Sequence, residues 1–217
     1  MKRRGPNFRS VVIDVDSTLS AIEGIDWLAA RKGSEVAATV AGHTARAMTG
    51  EIALEEVYAQ RIGLVAPGAA DIDALARAYI ENIAPGAKEA VSAWVAAKVR
   101  VIMVSGGIRQ ALLPLAEYVG VPEADVYAVA VHQSPDGNYA SFDTASPLAV
   151  ATGKRDVVAA LNLPRPVLSV GDGATDIEMK AVTDAFAAFT GFAVRPLVTA
   201  RADYVVASFE ELSRLVG

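Results

Sequence analysis

The stretch Ser10-Val11-Val12-Ile13-Asp14-Val15-Asp16-Ser17-Thr18-Leu19 runs a short β-branched strand directly into two carboxylates. Val11-Val12-Ile13 has no polar face, so it fits a strand covered on both sides. The same grammar returns in Val101-Ile102-Met103-Val104, Val167-Leu168-Ser169-Val170 and Tyr204-Val205-Val206, with Ala185 to Phe189 a weaker fifth. Between these runs the apolar spacing becomes helical. Pro85-Gly86 opens one helix, with Ala87, Val91, Trp94 and Val95 on one stripe and Lys88, Glu89 and Lys98 off it. A second carries Ala111, Leu112, Leu115 and Tyr118, ends at Gly120 and is followed by Pro122. Lys154 to Leu161 and Ile177 to Val182 supply two more. Strands alternating with helices imply an α/β fold: a Rossmann-like, mostly parallel sheet with helices on both faces. Ligands of such sheets sit beyond the carboxyl ends of the strands.

Residues from Ser20 to about Asn82 break the alternation. They hold no clear strand, and amphipathic patterns run from Ile22 to Arg31, Leu54 to Ile62 and Ile72 to Ile80, punctuated by Gly42, Gly50 and Pro67-Gly68. The expectation is a small helical-bundle cap, residues 20–82, inserted after the first strand of a catalytic core made of residues 1–19 and 83–217. Pro135-Asp136-Gly137-Asn138, between Tyr127 to Val131 and Tyr139 to Phe142, signals a β-hairpin.

At about 150 residues per domain, the 217 residues fit one domain plus an insertion. The chain is 53% hydrophobic and 21% charged, enough for a large core and too apolar for disorder. A net charge of -5 leaves no basic footprint for nucleic acid or an anionic membrane. The absence of cysteine excludes a disulfide framework, thiol catalysis and thiolate metal sites, and fits a reducing cytoplasm. His43 and His132 cannot form an imidazole cluster, and both read as ordinary polar residues. Any metal is therefore held by oxygen, which points to magnesium, calcium or manganese. Met1-Lys2-Arg3-Arg4 resembles the start of a signal peptide, but Asp14 and Asp16 interrupt the apolar segment that would follow. Ala185 to Val194 is too short to span a bilayer. The composition thus predicts a soluble cytoplasmic protein.

Asp14 and Asp16, two residues apart on extended chain, project to the same side. One can attack phosphorus while the other manages the leaving group's proton, and their repulsion invites a cation. Alone, Asp-x-Asp followed by Ser and Thr is more often a turn or helix cap. Its company narrows the choice. Ser105-Gly106-Gly107 ends the second strand and offers backbone N–H groups to phosphate oxygens. Lys154 opens a helix and can balance phosphate charge. Gly171-Asp172-Gly173-Ala174-Thr175-Asp176 follows a third strand and supplies oxygen ligands for a hard cation. Each piece alone has an ordinary explanation as a turn, a surface lysine or a cap. Together, at strand ends and helix starts, they form a phosphoryl-transfer constellation.

These motifs resemble the haloacid dehalogenase superfamily in its phosphatase branch, and more closely its phosphoserine phosphatase family, from about Ser10 to Leu215. Glu23-Gly24-Ile25-Asp26 resembles the family's segment after the nucleophile. Ala47-Met48 with Gly50, Arg61 and Leu64 resembles its cap motif, and Asp136 to Ala140 with Phe142-Asp143 its hairpin. The resemblance implies hydrolysis of O-phosphoserine to serine and phosphate, the last step of serine biosynthesis, through an aspartyl-phosphate. Under it, Asp14 is the nucleophile and Asp16 the acid and then the base. Mg2+ is held by Asp14, the backbone carbonyl of Asp16 and Asp172, with Asp176 supporting this set. Ser105, Gly106 and Lys154 hold the phosphoryl oxygens. Glu23, Met48, Arg61 and Thr175 surround the rest of the substrate, Glu23 facing its amine and Arg61 its carboxylate.

Thr175, Leu54 and Thr49 depart from the family's pattern, standing where asparagine, phenylalanine and glycine are common; this bears on how the pocket closes. The alternative is a related phosphatase or phosphotransferase for another small phosphomonoester. A surface pair with Glu55 or Glu56 is the competing role for Arg61. Trp27 and Trp94 read as core residues, and Arg195 is left outside the site.

Overall fold

The computed structural model describes residues 8–48 and 54–217, without the side chains of residues 44–48, 54 and 55. In chain order the strands are β1 (Ser10–Ile13), β2 (Arg100–Ile108), β3 (Val126–Val129), β4 (Val131–Gln133), β5 (Tyr139–Phe142), β6 (Val167–Gly171), β7 (Ala185–Phe189) and β8 (Tyr204–Val206). The helices are α1 (Gly24–Lys32), α2 (Ser34–Met48), α3 (Leu54–Val65), α4 (Ala69–Glu81), α5 (Ala87–Ala96), α6 (Arg109–Val119), α7 (Gly153–Ala160), α8 (Ala174–Ile177), α9 (Pro196–Thr199) and α10 (Phe209–Val216).

Val11, Val12 and Ile13 are fully buried, as a strand flanked on both faces by helices requires. β1 lies inside a six-stranded sheet of order β3-β2-β1-β6-β7-β8, in which every pairing is parallel. Ile13 sits opposite Met103 on one side and Val170 on the other. The carboxyl ends of β1, β2 and β6 therefore open onto one edge. Asp14 and Asp172 follow β1 and β6 there, and Ser105 to Gly107 lie in the last part of β2, which runs on to Ile108.

Ala185–Phe189, the weakest strand signal, is nonetheless a strand with all five residues buried. Its alanines have low strand propensity, and only its place between β6 and β8 gives it a ladder. The hairpin reading needs a correction. The turn at 135–138 joins β4 and β5, but Val126–Val129 pairs with β2 in the main sheet. The pattern from Ile177 to Val182 is also not one helix: α8 ends at Ile177 and a 3-10 turn spans Glu178–Ala181. Trp94 belongs to the core and stacks on Phe209 at 6.3 Å. Trp27 is half-buried instead, with the Arg31 guanidinium 4.8 Å above its ring.

Between β1 and α5 the chain passes through α1 to α4. The Ala21 N–H donates to the Asn82 carbonyl at 2.9 Å and the Ala84 N–H to the Leu19 carbonyl at 2.9 Å. Departure and return thus lie side by side at the carboxyl end of β1, and α4 packs on α6. No helix among the described residues is long and apolar enough to cross a membrane.

Candidate active site

The floor of the site is built from strand ends. The Asp14 N–H donates to the Val170 carbonyl at 3.0 Å, which carries the β1 ladder one residue further and fixes Asp14 at the sheet edge. Lys154, at the start of α7, places Nζ 2.5 Å from Asp14 Oδ1 and 2.6 Å from Asp176 Oδ1. Asp176 Oδ2 accepts the Gly173 N–H at 2.8 Å. A Cβ at Gly171 would fall 2.3 Å from the Asp176 carboxyl carbon, so this close approach requires glycine. Arg195, at the start of α9, puts Nε 2.8 Å from Asp172 Oδ2 and Nη2 3.8 Å from Glu23 Oε1.

Asp14, Asp172 and Asp176 are all buried, and one oxygen of each lies within 4.8 Å of the other two. Burial, with Asp176 as the main neighbouring charge, pushes the Asp14 carboxyl well above the usual carboxylate range. Asp172 is raised by burial and by Asp176, with Arg195 opposing. Burial works against the Lys154 ammonium, but Asp14 and Asp176 outweigh it and raise its pKa, keeping the charge. Three carboxylates face two cations, so the cluster keeps an excess of negative charge on hard oxygen donors. Such a set suits a divalent metal.

Asp16 stands beside this floor. The chain turns sharply after it, with Ser17 at a left-handed φ of 53°, strain of the kind concentrated at functional sites. The Ser17 hydroxyl donates to Glu23 Oε1 at 2.7 Å. Asp16 Oδ1 accepts from the Gly24 N–H at 2.8 Å and the Tyr79 hydroxyl at 2.7 Å; Oδ2 accepts from the Ser105 hydroxyl at 3.1 Å. A Cβ at Gly24 would lie 2.1 Å from the Tyr79 oxygen, so glycine admits this phenol.

Above the floor is a cavity of about 240 Å³. Asp14, Asp16, Glu23, Arg61, Gly106, Lys154, Asp172, Thr175 and Asp176 all line it. Ser105 stands apart, buried with its hydroxyl turned to Asp16, while Gly106 and Gly107 face the cavity. The Met48 side chain, Thr49 and Gly50, and the side chains of Leu54 and Glu55, lie outside the described residues. Arg61 pairs with Asp26 at 2.7 Å, and Glu56 takes a hydrogen bond from Gln60 at 2.9 Å instead. The Glu23 side chain is 46% exposed, yet its place in the cleft raises its pKa to about 7, first by desolvation and then by Asp16.

The sequence reading passed over Tyr58, Tyr79 and Arg195. Tyr79 reads as core because it sits on the apolar stripe of α4 with Ile72, Leu75 and Ala76. Tyr58 likewise reads as a helix-packing residue of α3. Arg195 just before Pro196 was the one available signal, since Pro at a helix start places the preceding side chain at a helix N-terminus.

Comparison with known proteins agrees with this geometry. A family model described as haloacid dehalogenase-like hydrolase matches residues 8–181. A phosphoserine phosphatase of Mus musculus is 34% identical over 206 residues, covering 94% of this chain and 91% of that protein. A chloroplastic phosphoserine phosphatase of Arabidopsis thaliana is 34% identical over 208 residues, covering 94% and 70%. Among solved structures, a phosphoserine phosphohydrolase-like protein from Francisella tularensis superposes with a TM-score of 0.82 at 22% identity, covering 96% of this chain and 100% of the other. The chain belongs to the haloacid dehalogenase-like hydrolases and falls, within them, among the relatives of the phosphoserine phosphatases.

Proposed function

We propose that this protein hydrolyses O-phosphoserine to serine and phosphate, with Mg2+ as the metal. The observation that carries the reading is the Asp14 carboxylate at the cavity floor, held by Lys154 and flanked by Asp16, Asp172 and Asp176. Asp14 attacks phosphorus, forming an acyl-phosphate as the bond to the serine oxygen breaks. Asp16 gives that oxygen its proton, then takes one from the water that attacks phosphorus and frees Asp14. Lys154 and the N–H group of Gly106 receive the phosphoryl oxygens, while the Ser105 hydroxyl, which accepts the Gly107 N–H and donates to Asp16, braces the acid beside them. Asp14, Asp172 and the Asp16 carbonyl would hold Mg2+, supported by Asp176; the ion supplies charge neutralisation at the phosphoryl group.

Recognition of the rest of the substrate rests on Glu23 for the ammonium and Arg61 for the carboxylate, with Thr175 and, by the family resemblance, Met48 contributing. In this reading residues 20–82 act as a cap on a core of residues 1–19 and 83–217. Support for the reading comes from the convergence of Glu23, beside α1, and Arg61, on α3, onto one cavity with the floor.

The test measures released phosphate after chelation and Mg2+ titration, on phosphoserine, phosphoethanolamine and p-nitrophenyl phosphate. Activity should vanish with chelator, return with Mg2+, and favour phosphoserine by about ten-fold or more in kcat/KM, the size of one charge-assisted contact. Equal kcat/KM across the three substrates would overturn phosphoserine as the ligand.

A further inference from the structure

We infer that the Tyr58 hydroxyl is a specificity-determining contact that forms, with Arg61, a two-donor seat for the substrate's carboxylate. The inference rests on the phosphoserine reading and extends it to a residue with no assigned role. Tyr58 and Arg61 are three residues apart on α3, hence on one face, and both line the cavity. Tyr58 is 8% exposed, and among the described residues its hydroxyl has no hydrogen-bond partner. Arg61 spends Nη2 on Asp26, but its buried Nε has no partner either.

A buried donor without an acceptor is costly and uncommon in a folded chain. Two on one wall of one cavity, unmet by any described residue, are placed to serve an acceptor on a bound ligand. The Tyr58 ring is braced by Phe142 of β5, with centroids 5.3 Å apart and a 58° tilt, so its position does not depend on α3 alone. Burial also raises the phenol's pKa, which keeps it a proton donor. The phosphoryl group has separate donors on the floor in Lys154 and the Gly106 N–H group. A carboxylate, with two oxygens and one charge, matches one neutral and one cationic donor.

Tyr58→Phe, assayed as the full chain with Mg2+, removes only the hydroxyl. The ratio of kcat/KM for phosphoserine to that for phosphoethanolamine, which lacks the carboxylate, should fall by about ten-fold, mostly through KM. In an Arg61→Ala background the same change should lower the ratio by less, because both donors serve one acceptor. A thermal melt checks that the variants fold. An unchanged ratio, whether both rates fall together or neither does, overturns the inference. So does an equal loss with and without Arg61. Wild-type enzyme that shows no preference for phosphoserine over phosphoethanolamine sinks the phosphoserine reading itself; a wild-type preference that Tyr58→Phe leaves undiminished sinks only the seat.

Discussion

The cavity floor and its α3 wall hold polar groups in opposite states. On the floor, Lys154 answers Asp14 and Asp176, Arg195 answers Asp172, and three donors converge on Asp16. On the wall, Tyr58 Oη and Arg61 Nε are buried with no partner among the described residues. The floor is drawn from the carboxyl-end residues of β1, β2 and β6, all held in a parallel sheet, together with Lys154 at the start of α7, Arg195 at the start of α9 and Tyr79 reaching in from α4. Charges fixed in advance by such a scaffold can stabilise developing charge at phosphorus without rearranging. The wall leaves part of its bonding to be completed by a ligand. Chemistry common to phosphomonoesters thus resides in the preorganised region, and discrimination among them in the unsatisfied one.

The hardest test of that division falls on the floor. Asp14→Asn should lower turnover by more than about a thousand-fold, since an amide cannot form the acyl-phosphate. The metal-free variant should nevertheless melt at a higher temperature. The folded-state pKa of Asp14 is raised, so its ionisation near neutral pH costs stability that asparagine does not. Unimpaired turnover would remove Asp14 as nucleophile, and a lowered melting temperature would show that the Lys154 contact outweighs the repulsion.

On the wall the effect should be smaller and selective. Arg61→Ala should cost roughly ten- to a hundred-fold in kcat/KM for phosphoserine, and much less for p-nitrophenyl phosphate, which has no carboxylate. Equal losses would mean that Arg61 serves the fold through Asp26, and the contrast between floor and wall would fail there.

The smallest effect is a pH dependence. Glu23 has a pKa raised to about 7, so it becomes neutral as pH falls through that value and can no longer attract an ammonium. The ratio of kcat/KM for phosphoserine to that for p-nitrophenyl phosphate should therefore fall below pH about 7, by at most ten-fold per pH unit, and Glu23→Gln should flatten the profile. A ratio independent of pH in the wild-type protein would take Glu23 out of amine recognition.

Much of this molecule is legible from local pattern. The β-branched runs at β1, β2 and β6 announce buried strands, because a strand covered on both faces needs an apolar residue at every position. The carboxylates of Asp14, Asp172 and Asp176 follow strands that run parallel, so their meeting at one edge is a consequence of topology. α2 was harder to read: Ser34–Met48 is rich in alanine and contains Gly42, which gives little contrast between a buried stripe and a solvent face. Val126–Val129 and Val131–Gln133 form one continuous apolar run, and nothing local says that the first half joins β2 while the second turns back on β5.

By itself, then, the sequence determined the parallel sheet, the place of the helical insertion and the acids at the strand ends. These depend on periodicity and on residues next to one another in the chain. Only the tertiary structure decided that Tyr79 reaches Asp16 across 63 positions, that Arg195 reaches Asp172 across 23, and that the Ser105 hydroxyl donates to Asp16. It also decided that Tyr58 and Arg61 carry unmet donors. A tyrosine on an apolar stripe has the same pattern whether its hydroxyl meets a carboxylate, as in Tyr79, or nothing, as in Tyr58. Which of the two occurs depends on the helix's rotation and on what packs opposite, and neither is encoded in the spacing of apolar residues.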